Sequence, residues 1–279
     1  MNLRSILLLL DDSPLCEGRT RFALALARAH GSHLVGLAAT GFAEFPVTMD
    51  GAAALVEYAE IAWQALRERA GKAAQAFRVA SAGSGVSVEA IVDEAAQAPS
   101  IVAHAHAADL VVMSQPDPSA SGHGLARRLV EDVLFQAGRP TLLIPYAGRF
   151  EPTTGKAMVA WEDGREAARA LADSLPLLRR FGTVELVAWN ESDEADAALR
   201  GRLDAVCRWL ARHEIKATVR VEARPAADIA DAMLSRAADF EADVIVMGAY
   251  GHARWTERVL GGATRGILAS MTVPVLMSH

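Results

Sequence analysis

The chain has 279 residues, enough for two domains of ordinary size. Its 52% hydrophobic and 22% charged residues suit folded domains with real cores rather than a disordered chain. A net charge of −6, with no cluster of Lys and Arg to track phosphates, speaks against nucleic acid as a partner and leaves solubility as the plainest use of the charge.

The chain opens on MNLRSILLLLDD, whose apolar run, 6–10, is only five residues long and is closed by two aspartates. That is too short for a secretory core or a membrane span, so it reads as the first buried strand of a cytoplasmic protein. Cys16 and Cys207 fall on predicted helices in different halves and in no CxxC pair. They indicate neither a metal nor a redox motif and fit a reducing compartment. Strands are predicted near 5–10, 33–39, 86–91, 109–113 and 141–144, then near 157–161, 184–189, 217–221, 243–247 and 273–277. Between them lie helical patterns such as CEGRTRFALALARAHG and REAARALADSLPLLRRFG. This alternation predicts an α/β fold of parallel strands with right-handed crossovers, and the continuous apolar strands predict helices on both faces of the sheet.

The two halves align. SILLLLDD lies over AMVAWED and Gly31 over Gly182 at an offset of 151; ADLVVMS lies over ADVIVMG and Pro140 over Pro274 at an offset of 134. The difference of 17 residues is an insertion after the second strand of the first half, around GFAEFPVTMDGAAALVEYAE. PYAGRFEPTTGKA reads as the linker, which gives two tandem Rossmann-like domains, 1–147 and 154–279, each a five-stranded parallel sheet.

In such sheets ligands bind beyond the carboxyl ends of the strands. In the second half the strand ending at Met247 is followed by Gly248, Gly251 and the pair Gly261-Gly262. The helical run after the pair puts Ala263, Ile267 and Met271 on one face, so the pair sits at a helix N-terminus suited to an anion. The neighbouring strand ends in Trp161-Glu162, a carboxylate suited to ribose hydroxyls. Glu162 has a second reading, in which Asp163 caps the next helix and Glu166 closes a capping box.

The pattern resembles the universal stress protein family, whose nucleotide-binding members carry Gly-x2-Gly-x9-Gly-(Ser/Thr) after the fourth strand and an acid ending the first. Gly248, Gly251 and Gly261 match with both spacings intact, and Glu162 stands where Asp is usual. The resemblance covers nearly the whole chain as two tandem copies. It implies an adenine nucleotide such as ATP held by Trp161, Glu162, Met247, Gly248, Gly251, His252, Gly261, Gly262 and Ala263. It also implies pairing of the halves through their last strands, with a homodimer left open. Two departures stand out. Gly262 replaces the Ser/Thr, which removes a hydroxyl, and the first half has Ser114, Asp117, Arg127 and Arg128 where the second has Gly248, Gly251, Gly261 and Gly262. With two prolines also in SQPDPSASGHGLARR, the first site is expected to be degenerate, although Asp11 keeps its acid.

Other constellations read as ordinary structure. His104 and His106 are spaced two apart and point to different sides of a helix; GHG at 122–124 is loop. Gly71-Lys72 and Gly155-Lys156 lack the Walker hydroxyl, and His213-Glu214 lacks a second histidine. Three functions remain: a non-catalytic, ATP-binding stress-response regulator with one site; a slow ATP hydrolase using His252, Arg254, Glu257 or Arg258; and an interaction module independent of nucleotide.

Overall fold

A computed structural model describes residues 3–41, 52–152, 154–190, 196–223, 225, 228–250 and 262–279, the side chains of 52–58 and 196 excepted. The first repeat runs β1 (Ser5–Leu9), α1 (Leu15–His30), β2 (His33–Ala39), α2 (Ala52–Ser81), β3 (Ser87–Asp93), α3 (Gln97–Ala105), β4 (Leu110–Ser114), α4 (His123–Gln136) and β5 (Thr141–Ile144). The second runs β6 (Lys156–Ala160), α5 (Arg165–Leu178), β7 (Thr183–Asn190), α6 (Asp196–Arg212), β8 (Ala217–Ala223), α7 (Ile229–Phe240), β9 (Val244–Gly248), α8 (Gly262–Ser270) and β10 (Val275–Ser278). All ten expected strands form, their ends shifted by at most two residues.

Two compact units emerge, Leu3–Met113 and Ser114–His279. In the first, the strand order is β3-β2-β1-β4, all parallel. In the second it is β5-β10-β9-β6-β7-β8. The same order (third, second, first, fourth) therefore recurs in both repeats, as a duplication requires. One strand departs from an all-parallel arrangement. β5, the last strand of the first repeat, pairs antiparallel with β10, with Leu143 opposite Val275 and Thr141 opposite Met277. This is the pairing through last strands that the family resemblance implies, and it puts α4 and β5 in the unit that holds the second repeat.

Burial follows position in the sheet. β1 and β6 are buried after their first residue, and β5 and β10 throughout, so both of their faces are covered. The outer strands β3 and β8 alternate with exposed positions. Ile6, Leu8, Leu34, Leu37 and Leu110 fill the first core, and Leu143, Met158 and Leu178 the second. Each such side chain contributes about 1.5–3 kcal/mol by leaving water. The insertion lengthens a helix: α2 has 30 residues against 17 in α6. Its Ala70, Ala73, Ala74 and Phe77 recur at helical spacing and are buried. Phe77 leans on Gly36, where a Cβ would come within 2.9 Å of its ring.

Candidate functional site

In the second repeat, β6 and β9 are adjacent and parallel, with Ala160 opposite Met247. Trp161-Glu162 therefore leaves the sheet beside Gly248, at the carboxyl ends where an open parallel sheet binds ligands. Glu162 is exposed. The main-chain N–H of Trp161 donates to Val187 O of β7 at 2.8 Å. Both Trp161 and Trp189, at this same end of the sheet, carry a buried indole Nε1 with no hydrogen-bond partner among the described residues. Buried donors are normally satisfied, so two orphaned N–H groups here fit a ligand rich in acceptors.

Gly248 is the last residue of β9 rather than the first beyond it. A Cβ there would meet Ala167 N and Glu166 C at 2.7 Å, both backbone atoms of α5. Close packing of strand on helix is thus sufficient reason for this glycine. The capping box of the second reading of Glu162 does not form. α5 begins at Arg165 with Gly164 at its N-cap and no side-chain cap, while Asp163 pairs with Arg202 at 2.7 Å. Glu166 is instead buried beside Gly248. Burial pushes its carboxyl up, but the Arg165 hydrogen bond, its own backbone N–H and the charges of Arg165 and His279 outweigh that and leave it below its ordinary value.

At the far end of the loop, α8 starts at Gly262, which is exposed and has no atom of the described residues within 4 Å of an added Cβ. The inward face differs slightly from the expected one. Thr264, Ile267 and Leu268 are buried with Met271, while Ala263 is only half-buried. Gly251, His252, Gly261, Arg254, Glu257 and Arg258 lie outside the described residues. The structure thus brings Trp161, Glu162, Met247 and Gly248 to one end of the sheet. It adds two residues that sequence reasoning passed over. Trp189 is one, its signal being an aromatic at a strand's carboxyl end. Tyr250 is the other: 3% exposed, at φ +63°, its N–H donated to Thr264 Oγ1 at 3.2 Å. Burial and the nearby Glu131 push its hydroxyl well above its ordinary value, with Arg127 and Arg265 opposing weakly.

The equivalent place in the first repeat is built differently. Asp11 accepts from Ser13 N at 3.0 Å, from Ser13 Oγ and, at 2.9 Å, from Arg19, itself 2% exposed. Asp12 is gripped by Arg69 of α2 at 2.7 and 2.8 Å; that hydrogen bond, opposed by partial burial, leaves its carboxyl below the usual range. A cavity of about 240 Å³ lies here, lined by Leu10, Asp11, Ala39, Thr40, Arg69 and Gln97 among others. Residues aligned with the second repeat's glycines are held by local contacts. Asp117 folds back to accept from Ser119 N and Oγ at 2.8 and 2.7 Å. Arg127 and Arg128 lie inside α4, where Arg127 pairs with Glu131 one turn on.

His104, on α3, has Nδ1 2.9 Å from Ser100 O, and His106 is the C-cap of that helix. Among the described residues no group of three His, Cys, Asp or Glu is placed to hold a metal ion. Among them, too, no helix is long and apolar enough to cross a membrane.

A model of the universal stress protein family matches residues 2–145 and 179–279. None of the curated proteins matches the chain. Among solved structures, a universal stress protein from Archaeoglobus fulgidus DSM 4304 is 17% identical, with a TM-score of 0.72 over 99% of this chain and 96% of its own. A functionally unknown protein from Pseudomonas aeruginosa PAO1 is 19% identical, with a TM-score of 0.59 over 99% and 92%. At such identities the likeness speaks for the fold, an α/β pair of Rossmann-like repeats, and the match to the family model goes further. The chain belongs to the universal stress protein family.

Proposed function

We propose that this protein is a non-catalytic regulator of the cytoplasm that binds ATP or a related adenine nucleotide at one site, in the second of its repeats, 1–147 and 154–279. The observation that carries this reading is the spacing Gly248-x2-Gly251-x9-Gly261 between β9 and α8, at the sheet end where the Trp161 and Trp189 indole N–H groups have no partner among the described residues. Backbone N–H groups at the start of α8 hold the phosphates, and Glu162 accepts from ribose hydroxyls. Main-chain donors bind without supplying a base, so binding without turnover is expected. Calorimetry with ATP tests this: about one site per chain, and Gly261→Val weakening it by more than about tenfold, or ~1.4 kcal/mol. Release of phosphate by the purified chain would favour the hydrolase reading. An affinity that Gly261→Val leaves unchanged would overturn the site.

A further inference from the structure

Tyr250 stands between Gly248 and Gly251, at the entry of the proposed nucleotide loop, in a backbone conformation that bulky residues rarely adopt. Such a conformation persists only where its surroundings over-determine it. Here three neighbours do so. Thr264 Oγ1 of α8 takes its N–H. Its ring stacks on Phe135 with centroids 4.1 Å apart and planes at 23°. His279 meets Phe135 edge-on at 4.9 Å, and its Nδ1 lies 3.0 Å from Ala249 O. Phe135 belongs to α4, a helix of the first repeat. It is 40% exposed, whereas the tyrosine it covers is 3% exposed. Its placement therefore serves the ring beneath it more than the core.

We propose that Phe135 is a positioning residue: from the first repeat it holds Tyr250 in its left-handed conformation against Thr264, and so fixes the end of β9 against the start of α8, on which ATP affinity in the second repeat depends. The repeat that lost its own glycine loop thereby sets the affinity of the other. This rests on the nucleotide reading above only for its effect on affinity. Without the stack, Tyr250 is released to ordinary backbone angles, and its N–H parts from Thr264 Oγ1 at the start of α8.

The test uses the full chain with Phe135→Ala, the conservative Phe135→Tyr, and Val133→Ala, which deletes a fully buried side chain of the same helix. Two quantities are read in each: ATP affinity by calorimetry, and hydrogen exchange at the Tyr250 amide. Phe135→Ala is expected to weaken ATP binding about fivefold and to speed that exchange. Phe135→Tyr restores both, and Val133→Ala lowers the melting temperature yet changes neither. The proposal is overturned if Phe135→Ala leaves the exchange unchanged, or if Val133→Ala alters both quantities as much as Phe135→Ala does. Should the parent chain bind no ATP, the functional reading fails by itself. The exchange comparison then still decides the proposal: acceleration in Phe135→Ala alone upholds it, and any other pattern sinks it.

Discussion

At the end of the first strand of each repeat stands an acid, Asp11 in one and Glu162 in the other. Asp11 is held by Ser13 and by the buried Arg19, whose Nε also donates to Leu9 O at 2.9 Å. At the matching place in the second repeat, offset by 151, Arg19 becomes Ala170, 1% exposed, and Glu162 lies exposed at the sheet end. An acid at one place in the fold is tied by a buried arginine in the first copy, and in the second it stands exposed with an alanine in the arginine's place. The buried Arg19 is what makes the first repeat's acid part of the structure, and the second repeat has no arginine at that place.

The largest effect expected of this difference is at Arg19. Arg19→Ala strands Asp11 and Leu9 O without their buried partner and should cost about 3 kcal/mol in urea denaturation. A cost near zero would mean that Asp11 is not structural. Second comes the place where the two fourth strands end. Gly248→Ala drives a Cβ into the backbone of α5 and should cost about 1–3 kcal/mol. Ser114, its counterpart, already carries a Cβ, so Ser114→Ala should cost less than half as much; equal costs would break the comparison. Third, Tyr250→Phe removes a buried hydroxyl that has no partner among the described residues and should stabilise by about 1 kcal/mol. Because the Tyr250 hydroxyl lies above its ordinary value, the parent chain should lose stability as pH rises past that ordinary value, where the unfolded chain ionises first. The phenylalanine variant should lose less over the same range in thermal melts. The smallest effect is at Glu162: Glu162→Gln should shift stability by under about 0.5 kcal/mol while weakening ATP binding. A clear loss of stability there would make the two acids alike.

Much of the fold was legible because its signals are local. Buried strands announce themselves as apolar runs such as 6–10 and 244–247, and the duplication repeats them at fixed offsets. The insertion was legible as a length difference, yet its emergence as extra turns of α2 was not, since periodicity says little about where a helix begins. In the site, the strand-end residues Trp161, Glu162, Met247 and Gly248 followed from the rule for open parallel sheets. What sequence could not carry were long-range choices. Asp163 had a capping pattern, but Arg202 on another helix claimed it. Gly248 looked ligand-facing, although the backbone of α5 lies against it. Tyr250 gave no signal, because a positive φ at an aromatic is imposed by its tertiary neighbours Phe135 and Thr264.

The β5–β10 ladder has a further consequence. A strand with one unpaired side is an invitation to polymerise, since any extended chain can extend its hydrogen bonding. Joining two repeats in one polypeptide lets the last strand of each close the other's open side at the high local concentration that a short tether confers. A free half would carry that side bare, apolar on both faces, into a crowded cell. The tandem chain therefore covers this pair of edges within itself, and it does so at every protein concentration.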